Sequence, residues 1–303
     1  MKLSAIRYLV AFADQLNFSR AAEKCHVSQP TLSVALQNLE DELGVKLIDR
    51  GKHHLGLTDV GERVVQQARK SLEEVGRIGT VAQHGKDPLV GTLRLGIIHT
   101  IAPYLLPQLI PALHRIAPTL TLHIEETMTS LLADHLKYGS VDVAIVALPF
   151  EVAGIETMPL YDEVFEVIVP KGHAWANRTC IAAAEIAGEE VLVLKAGNCF
   201  REQVLDACPE ISHAEGSLRQ GHSIETIRAM VASGYGISVL PKSALSDLYQ
   251  SDLVCAIPFE EPPPLRRVAL AWRRHSVQEP LIDTLVSAAA AMKACLTDYR
   301  SPS

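Results

Sequence analysis

Leucine recurs at positions 32, 36, 39 and 43, a spacing that lays one apolar stripe along a helix. The predicted helix covers 28–44, because Ser28 suits the N-cap, Pro30 is tolerated in the first turn and Gly44 suits the stop. Gln29, Thr31, Ser33 and Asn38 fall off that stripe, on other faces. Before it, "FSRAAEKC" (18–25) predicts a shorter helix with Ser19 as its cap, and "HVS" predicts the turn between them. Two helices so joined describe either a helix-turn-helix or an ordinary antiparallel helix pair. "VKLIDR" and "HHLGLT" alternate as a two-stranded wing would, with Arg50, Lys52, His53 and His54 available to phosphates. From Thr58 a long helix follows, its stripe made by Val64, Ala68, Leu72, Val75, Ile78 and Val81. A narrow stripe between charged flanks suits pairing with a second copy. A solitary helix packed on its own domain is the alternative.

Past residue 90 the pattern changes to short apolar runs alternating with helical stretches. Strands are predicted at 91–98, 120–126, 141–147, 165–170, 190–195, 236–241 and 267–273. This rhythm predicts an α/β fold with a largely parallel sheet. "LYDEVFEVIVPKGH" leaves one such unit and "PPPLRRVALAWRR" returns to it, which predicts two subdomains with a cleft between them. The predicted boundaries are 1–58 for the helix-turn-helix, 59–88 for the linker helix and 89–303 for the remainder. Within the last, 89–162 with 267–303 form one subdomain and 163–266 the other. Ligands of open α/β sheets sit at the carboxyl ends of strands. His99–Thr100 and Thr127–Thr129 are therefore either pocket walls or simple helix caps.

Composition narrows the class. The 303 residues are 48% hydrophobic and 21% charged, as in ordinary globular proteins. The longest stretch without charge, Leu95 to His114, contains three prolines and two histidines and suits a soluble strand and helix. With no signal-peptide pattern after Met1, a cytoplasmic protein is expected. The acidic excess behind the net charge of −7 lies beyond residue 90, while the N-terminal part is close to electroneutral. Charge alone therefore does not point to nucleic acid.

Six cysteines (25, 180, 199, 208, 255, 295) form no CxxC and no zinc-ligand spacing, so neither metal nor cofactor is expected. "GNCFREQVLDAC" (197–208) reads as a short helix with cysteines nine residues apart. On a helix their thiols face opposite ways, with Cα atoms roughly 13 Å apart, whereas a disulfide tolerates about 7 Å. Either the two never meet or the segment must unfold. Cys199 stands at the helix start, where backbone N–H groups and the dipole stabilise a thiolate, with Arg201 close in sequence. A redox pair and two unrelated cysteines both fit these residues.

The segment "LNFSRAAEKCHVSQPTLSVALQNLEDELGVKLIDR", with LTxxG at 57–61, resembles the winged helix-turn-helix of LysR-type transcriptional regulators. That resemblance implies a dimer of dimers on a double-stranded DNA operator, with RNA polymerase as a partner. Ser28, Gln29, Pro30, Thr31 and Ser33 would open the recognition helix, and Arg50 would touch the backbone. It also implies a periplasmic-binding-protein-like regulatory domain across 89–303.

"GNCFREQVLDAC", "HTIAPYLLPQLIPAL", "LYDEVF" and "IETIRAMVASGYGISVLP" are similar to the peroxide-sensing members of that family. The similarity implies Cys199 as the peroxidatic residue and Cys208 as the resolving one, reset by a thioredoxin- or glutaredoxin-type reductant. Thr100 and Thr129 match pocket threonines, with Asn198, Arg201, Arg228 and Arg266 around the thiolate. Many relatives carry histidine where this chain has Asn198, which forms hydrogen bonds but holds no charge at neutral pH. Two other readings stand beside this one: a regulator sensing a small metabolite in the cleft, and a thiol peroxidase, which leaves the helix-turn-helix unexplained.

Replacing Thr31 by tryptophan is expected to abolish sequence-specific footprints while leaving the fold and salt-sensitive non-specific binding intact. An unchanged footprint would remove the 28–33 segment from the DNA-reading surface.

Overall fold

A computed structural model describes residues 1–50, 55–84, 89–209, 219–274, 276–277 and 279–293. Lys52, His53, His54 and Cys295 lie outside the described residues, and only the backbone of Arg50 and Val81 is described. The chain forms two compact units, Met1–Lys86 and Asp87–Ser303.

In the first unit, α1 (Leu3–Gln15), α2 (Phe18–Lys24) and α3 (Gln29–Leu43) pack around Leu9, Phe12, Leu32, Leu36 and Leu47. Ser28 caps α3, its Oγ accepting from the Thr31 amide at 3.3 Å, and Gly44 closes it at φ +70°. The cap of α2 is Asn17 rather than Ser19: the Asn17 side chain accepts from the Arg20 amide, and Ser19 falls one position inside the helix. Leu43 departs from its stripe and is 40% exposed, because α3 ends there beyond the core.

The wing pairs β1 (Ile48–Arg50) antiparallel with β2 (Leu55–Leu57). Buried Glu40 fixes its origin, with Oε1 accepting from the amides of Leu47 (2.7 Å) and Ile48 (3.0 Å). α3 and the wing are thereby one rigid piece. The long helix α4 (Asp59–His84) begins against the same piece through Gly61, where a Cβ would lie 2.0 Å from the Leu47 carbonyl oxygen. Along α4, Val64 packs on this core and Ala68 is buried, but Ile78 is 67% exposed.

The second unit holds a nine-stranded sheet in the order β4-β3-β5-β11-β6-β9-β7-β8, with β10 also on β6. Its strands are β3 (Gly91–Ile98), β4 (Leu120–Thr127), β5 (Val143–Ala147), β6 (Ile155–Pro170), β7 (Val191–Leu194), β8 (Arg219–Gly221), β9 (Ile237–Pro241), β10 (Val254–Pro258) and β11 (Leu265–Arg273). The sheet is mixed rather than largely parallel. β3 pairs parallel with β4 and β5, and β7 with β8 and β9, but every pairing of β6 and β11 is antiparallel. Those two strands run past each other between the halves, so they cannot share the direction of both.

β6 is sixteen residues long where the pattern predicts only 165–170. Its first half carries polar residues that mask the strand signal, and β11 neutralises them: Asp162 pairs with Arg267 at 2.6 Å and Glu163 with Arg266 at 2.7 Å. β8 and β10 escape the pattern as short strands at the sheet margins. Residues of β3, β5, α5 (Ala102–Ile116) and the helix Glu279–Lys293 build one core; β7, β9, α7 (Cys199–Ala207) and the helix Ile224–Ala232 build the other.

Gly61→Ala should destabilise the first unit by about 2 kcal/mol, because backbone rather than a movable side chain blocks the methyl group. Hydrogen exchange of the whole protein should show lost protection across 3–62 and none across β3–β5. Wild-type protection throughout would contradict the contact.

Candidate functional site

Three connections at the carboxyl ends of parallel strands converge in the second unit. The β3–α5 turn supplies Ile98, His99 and Thr100. The turn from β4 to α6 (Thr129–Tyr138) supplies Thr127, Met128 and Thr129, and the β7–α7 loop supplies Gly197, Asn198 and Cys199. Together they line a pocket whose free space for a water-sized molecule is about 10 Å³. That is close to the least space that holds one water-sized molecule, far below the several hundred Å³ typical of a metabolite site. Thr129 and Cys199 are the first helical residues of α6 and α7, so two helix N-termini favour negative charge in the pocket.

The local sequence explains how Cys199 is presented. Gly197 turns the chain at φ +92°, a conformation side chains rarely adopt. Asn198 then caps α7, its Oδ1 accepting from the Phe200 amide at 3.0 Å. The side chain at the position of the familiar histidine is thus spent on the helix start. Thr129 donates its hydroxyl to the Cys199 sulfur at 3.1 Å across the cleft.

Behind the pocket, Arg266 is fully buried. Its Nε donates to Glu163 at 2.7 Å, Nη1 to the Thr100 hydroxyl at 3.0 Å and Nη2 to the Thr100 carbonyl at 2.9 Å. Its guanidinium lies 5.3 Å from the centre of the Phe200 ring. Burial acts to lower its pKa, but Glu163 above all, then Tyr161 and Cys199, hold it above the ordinary arginine value. The other Glu163 oxygen accepts from the Ser243 amide at 3.0 Å.

The remaining expected residues lie differently. Arg201 is not among the residues that line the pocket and donates to the Leu194 carbonyl at 3.1 Å, fastening α7 to β7. Arg228 lines a different pocket, bonded to Glu225 and the Ala244 carbonyl. Cys208 ends α7, fully buried in the second core, whereas Cys199 packs against the first. The two are not disulfide-bonded. In the first unit Ser28, Gln29, Pro30 and Thr31 are exposed and Ser33 is half-buried, with the Ser28 and Thr31 hydroxyls bonded to each other at 2.7 Å.

Sequence reasoning missed Glu163, Phe200 and Gln203. Glu163 left a signal: two acids and two arginines interrupt otherwise apolar strands, as only paired charges can. Gln203, whose side chain donates to the Leu148 carbonyl at 3.3 Å, left none.

Two family models match the chain. Residues 3–62 fit the bacterial regulatory helix-turn-helix protein of the lysR family, and residues 86–293 fit the LysR substrate binding domain. The Escherichia coli K12 DNA-binding transcriptional dual regulator OxyR is 40% identical over 276 residues, 91% of this chain and 90% of that protein. Full-length OxyR from Pseudomonas aeruginosa, a cysteine-to-aspartate variant, superposes with a TM-score of 0.71 at 45% identity, covering 95% of this chain and 94% of that one. A hydrogen-peroxide-bound cysteine-to-serine OxyR mutant from Corynebacterium glutamicum gives 0.66 at 29% identity, covering 99% and 97%.

The chain belongs to the OxyR group of the LysR family. It is a peroxide-sensing transcriptional regulator that binds DNA, not an enzyme. Among the described residues no helix is long and apolar enough to cross a membrane, and no cluster of metal-ligating side chains occurs.

Thr129→Val removes the hydroxyl bonded to Cys199 with little change of volume. The second-order rate of Cys199 oxidation by peroxide should fall about tenfold, the worth of one hydrogen bond made in the transition state. Mass-spectrometric timing of peptide 196–201 reads it. A wild-type rate would make the contact structural only.

Proposed function

We propose that hydrogen peroxide is read at Cys199, and that a Cys199–Cys208 disulfide rebuilds α7 to change how the regulator holds its operator. The observation that carries this reading is the Thr129–Cys199 bond inside a pocket with room for little more than one water-sized molecule. The Cys199 thiolate attacks one peroxide oxygen, the O–O bond breaks, and the leaving hydroxide takes a proton to become water. The sulfenic acid formed then reacts with the Cys208 thiol, forming the S–S bond and releasing a second water. A dithiol reductant of the thioredoxin or glutaredoxin type returns both thiols. The small pocket disfavours the metabolite-sensing alternative for this site.

The second step requires α7 to come apart. A helix keeps the two thiols roughly 13 Å apart on opposite faces, and Cys208 is enclosed in the second core together with Phe200 and Val204. The hydrogen bonds that tie α7 to the first core include Thr129 to Cys199 and Gln203 to the Leu148 carbonyl. Closing this short loop changes the chain entropy by about 3 kcal/mol, short of the roughly 5.5 kcal/mol that carries an element with two arrangements from 1:99 to 99:1.

In this reading α4 pairs two copies through Leu72, Val75 and exposed Ile78, and the regulatory domains pair the dimers into a tetramer in the cytoplasm. Ser28, Gln29, Pro30, Thr31 and Ser33 face the major groove, with Arg50 at the backbone. RNA polymerase then meets a tetramer whose four DNA-binding domains are spaced by the redox state.

The test compares reduced and peroxide-treated protein by hydrogen exchange and operator footprinting, with Cys208→Ser as control. Oxidised wild type should lose protection across 199–208 and shift its footprint; Cys208→Ser should do neither. A disulfide with unchanged protection and footprint would defeat the switch, and no disulfide would defeat the redox reading.

A further inference from the structure

The second half of the regulatory unit holds a larger pocket, distinct from the one at Cys199. It measures about 300 Å³ and is lined by Arg228 from the helix Ile224–Ala232, by Leu245, Tyr249, Ser251 and Asp252 from the chain before β10, and by Val254 of β10. None of these residues lines the peroxide pocket. That volume lies at the lower end of small-molecule sites.

Arg228 supplies its charge. The side chain is only 9% exposed, its Nε donates to Glu225 at 3.1 Å, and its Nη2 donates to the Ala244 carbonyl. Nη1 makes no hydrogen bond among the described residues, and a guanidinium cannot shed its proton to escape that position. Glu225 satisfies it incompletely, because its other oxygen accepts the Tyr104 hydroxyl at 2.9 Å and its side chain is half exposed. An open cationic donor therefore faces a cavity with Leu245 and Val254 on its walls.

We propose that this pocket binds a small monocarboxylate with a short apolar body, its carboxylate on Arg228 and its body against Leu245 and Val254. Exposed Asp252 on the same lining repels a second negative charge, which selects against phosphate and dicarboxylates. The site is independent of the peroxide chemistry, so either can fail without the other.

The test is calorimetric titration of the reduced full-length protein with hexanoate, with hexanamide as its uncharged counterpart and inorganic phosphate as the small anion. Hexanoate should saturate with a dissociation constant on the order of 1 mM, and hexanamide and phosphate should bind at least roughly tenfold more weakly. Arg228→Gln should abolish hexanoate binding. Should that variant not fold, Asp252→Asn decides: on an exposed position it leaves the fold intact, and by removing the repulsion it should tighten hexanoate roughly two- to fivefold. Hexanoate binding no better than hexanamide, or unchanged by Asp252→Asn, would overturn the proposal.

Discussion

The ion pair between Arg266 and Glu163 holds the regulatory unit together at the point where its two halves meet. Both groups are out of water, so the pair survives only because every polar atom finds a partner. Arg266 reaches Thr100 twice, in the turn that lines the peroxide pocket, and Glu163 reaches the Ser243 amide in the other half. β6 and β11 are in register there, Arg266 opposite Glu163. One buried charge pair thus joins the crossing strands, a pocket wall and the second subdomain, and its guanidinium also covers the ring of Phe200 beside Cys199. Loss of either partner would leave an uncompensated buried charge, costing about 3–5 kcal/mol.

Against this fixed background α7 is the part with a choice. It sits across two cores, its first residue packed on one and Cys208, just past its end, enclosed in the other. Hydrogen bonds at Cys199 and Gln203 tie it to the first half, while Phe200, Val204 and Cys208 bury apolar surface in the second. Extracting them costs several kcal/mol at ordinary values for buried side chains, more than loop closure alone returns. In the proposed switch the chemical driving force comes from reducing peroxide.

The DNA-binding unit shows why charge was a poor guide to its role. A near-neutral surface still reads DNA when a helix N-terminus and backbone amides meet phosphate and small side chains meet bases. What this needs is rigidity. Glu40 supplies it by receiving two amides from the start of the wing, and Gly61 supplies it by letting α4 touch the Leu47 carbonyl.

Local pattern by itself determined two helices joined by a turn, a pair of short strands after them, the alternation of strands and helices, and a helix starting at Cys199, because spacing and caps act within a few residues. That the two helices are a helix-turn-helix rather than an ordinary helix pair came from the family resemblance. Local pattern also placed Thr100 and Thr129 near the ends of strands that could carry a pocket. Tertiary structure alone decided that Thr129 touches Cys199, that Arg201 turns to Leu194 and that Arg228 belongs to another cavity. Those facts depend on residues 70 or more positions apart, or on which side of a helix faces the cleft, and no short-range signal carries them. The first half of β6 shows the same limit: its acids look like loop until β11 brings two arginines opposite them. The incompatibility of a helix with a 199–208 disulfide was legible from spacing; that the two sulfurs rest in separate cores, and so must be pulled from different packing to meet, was written only in the fold.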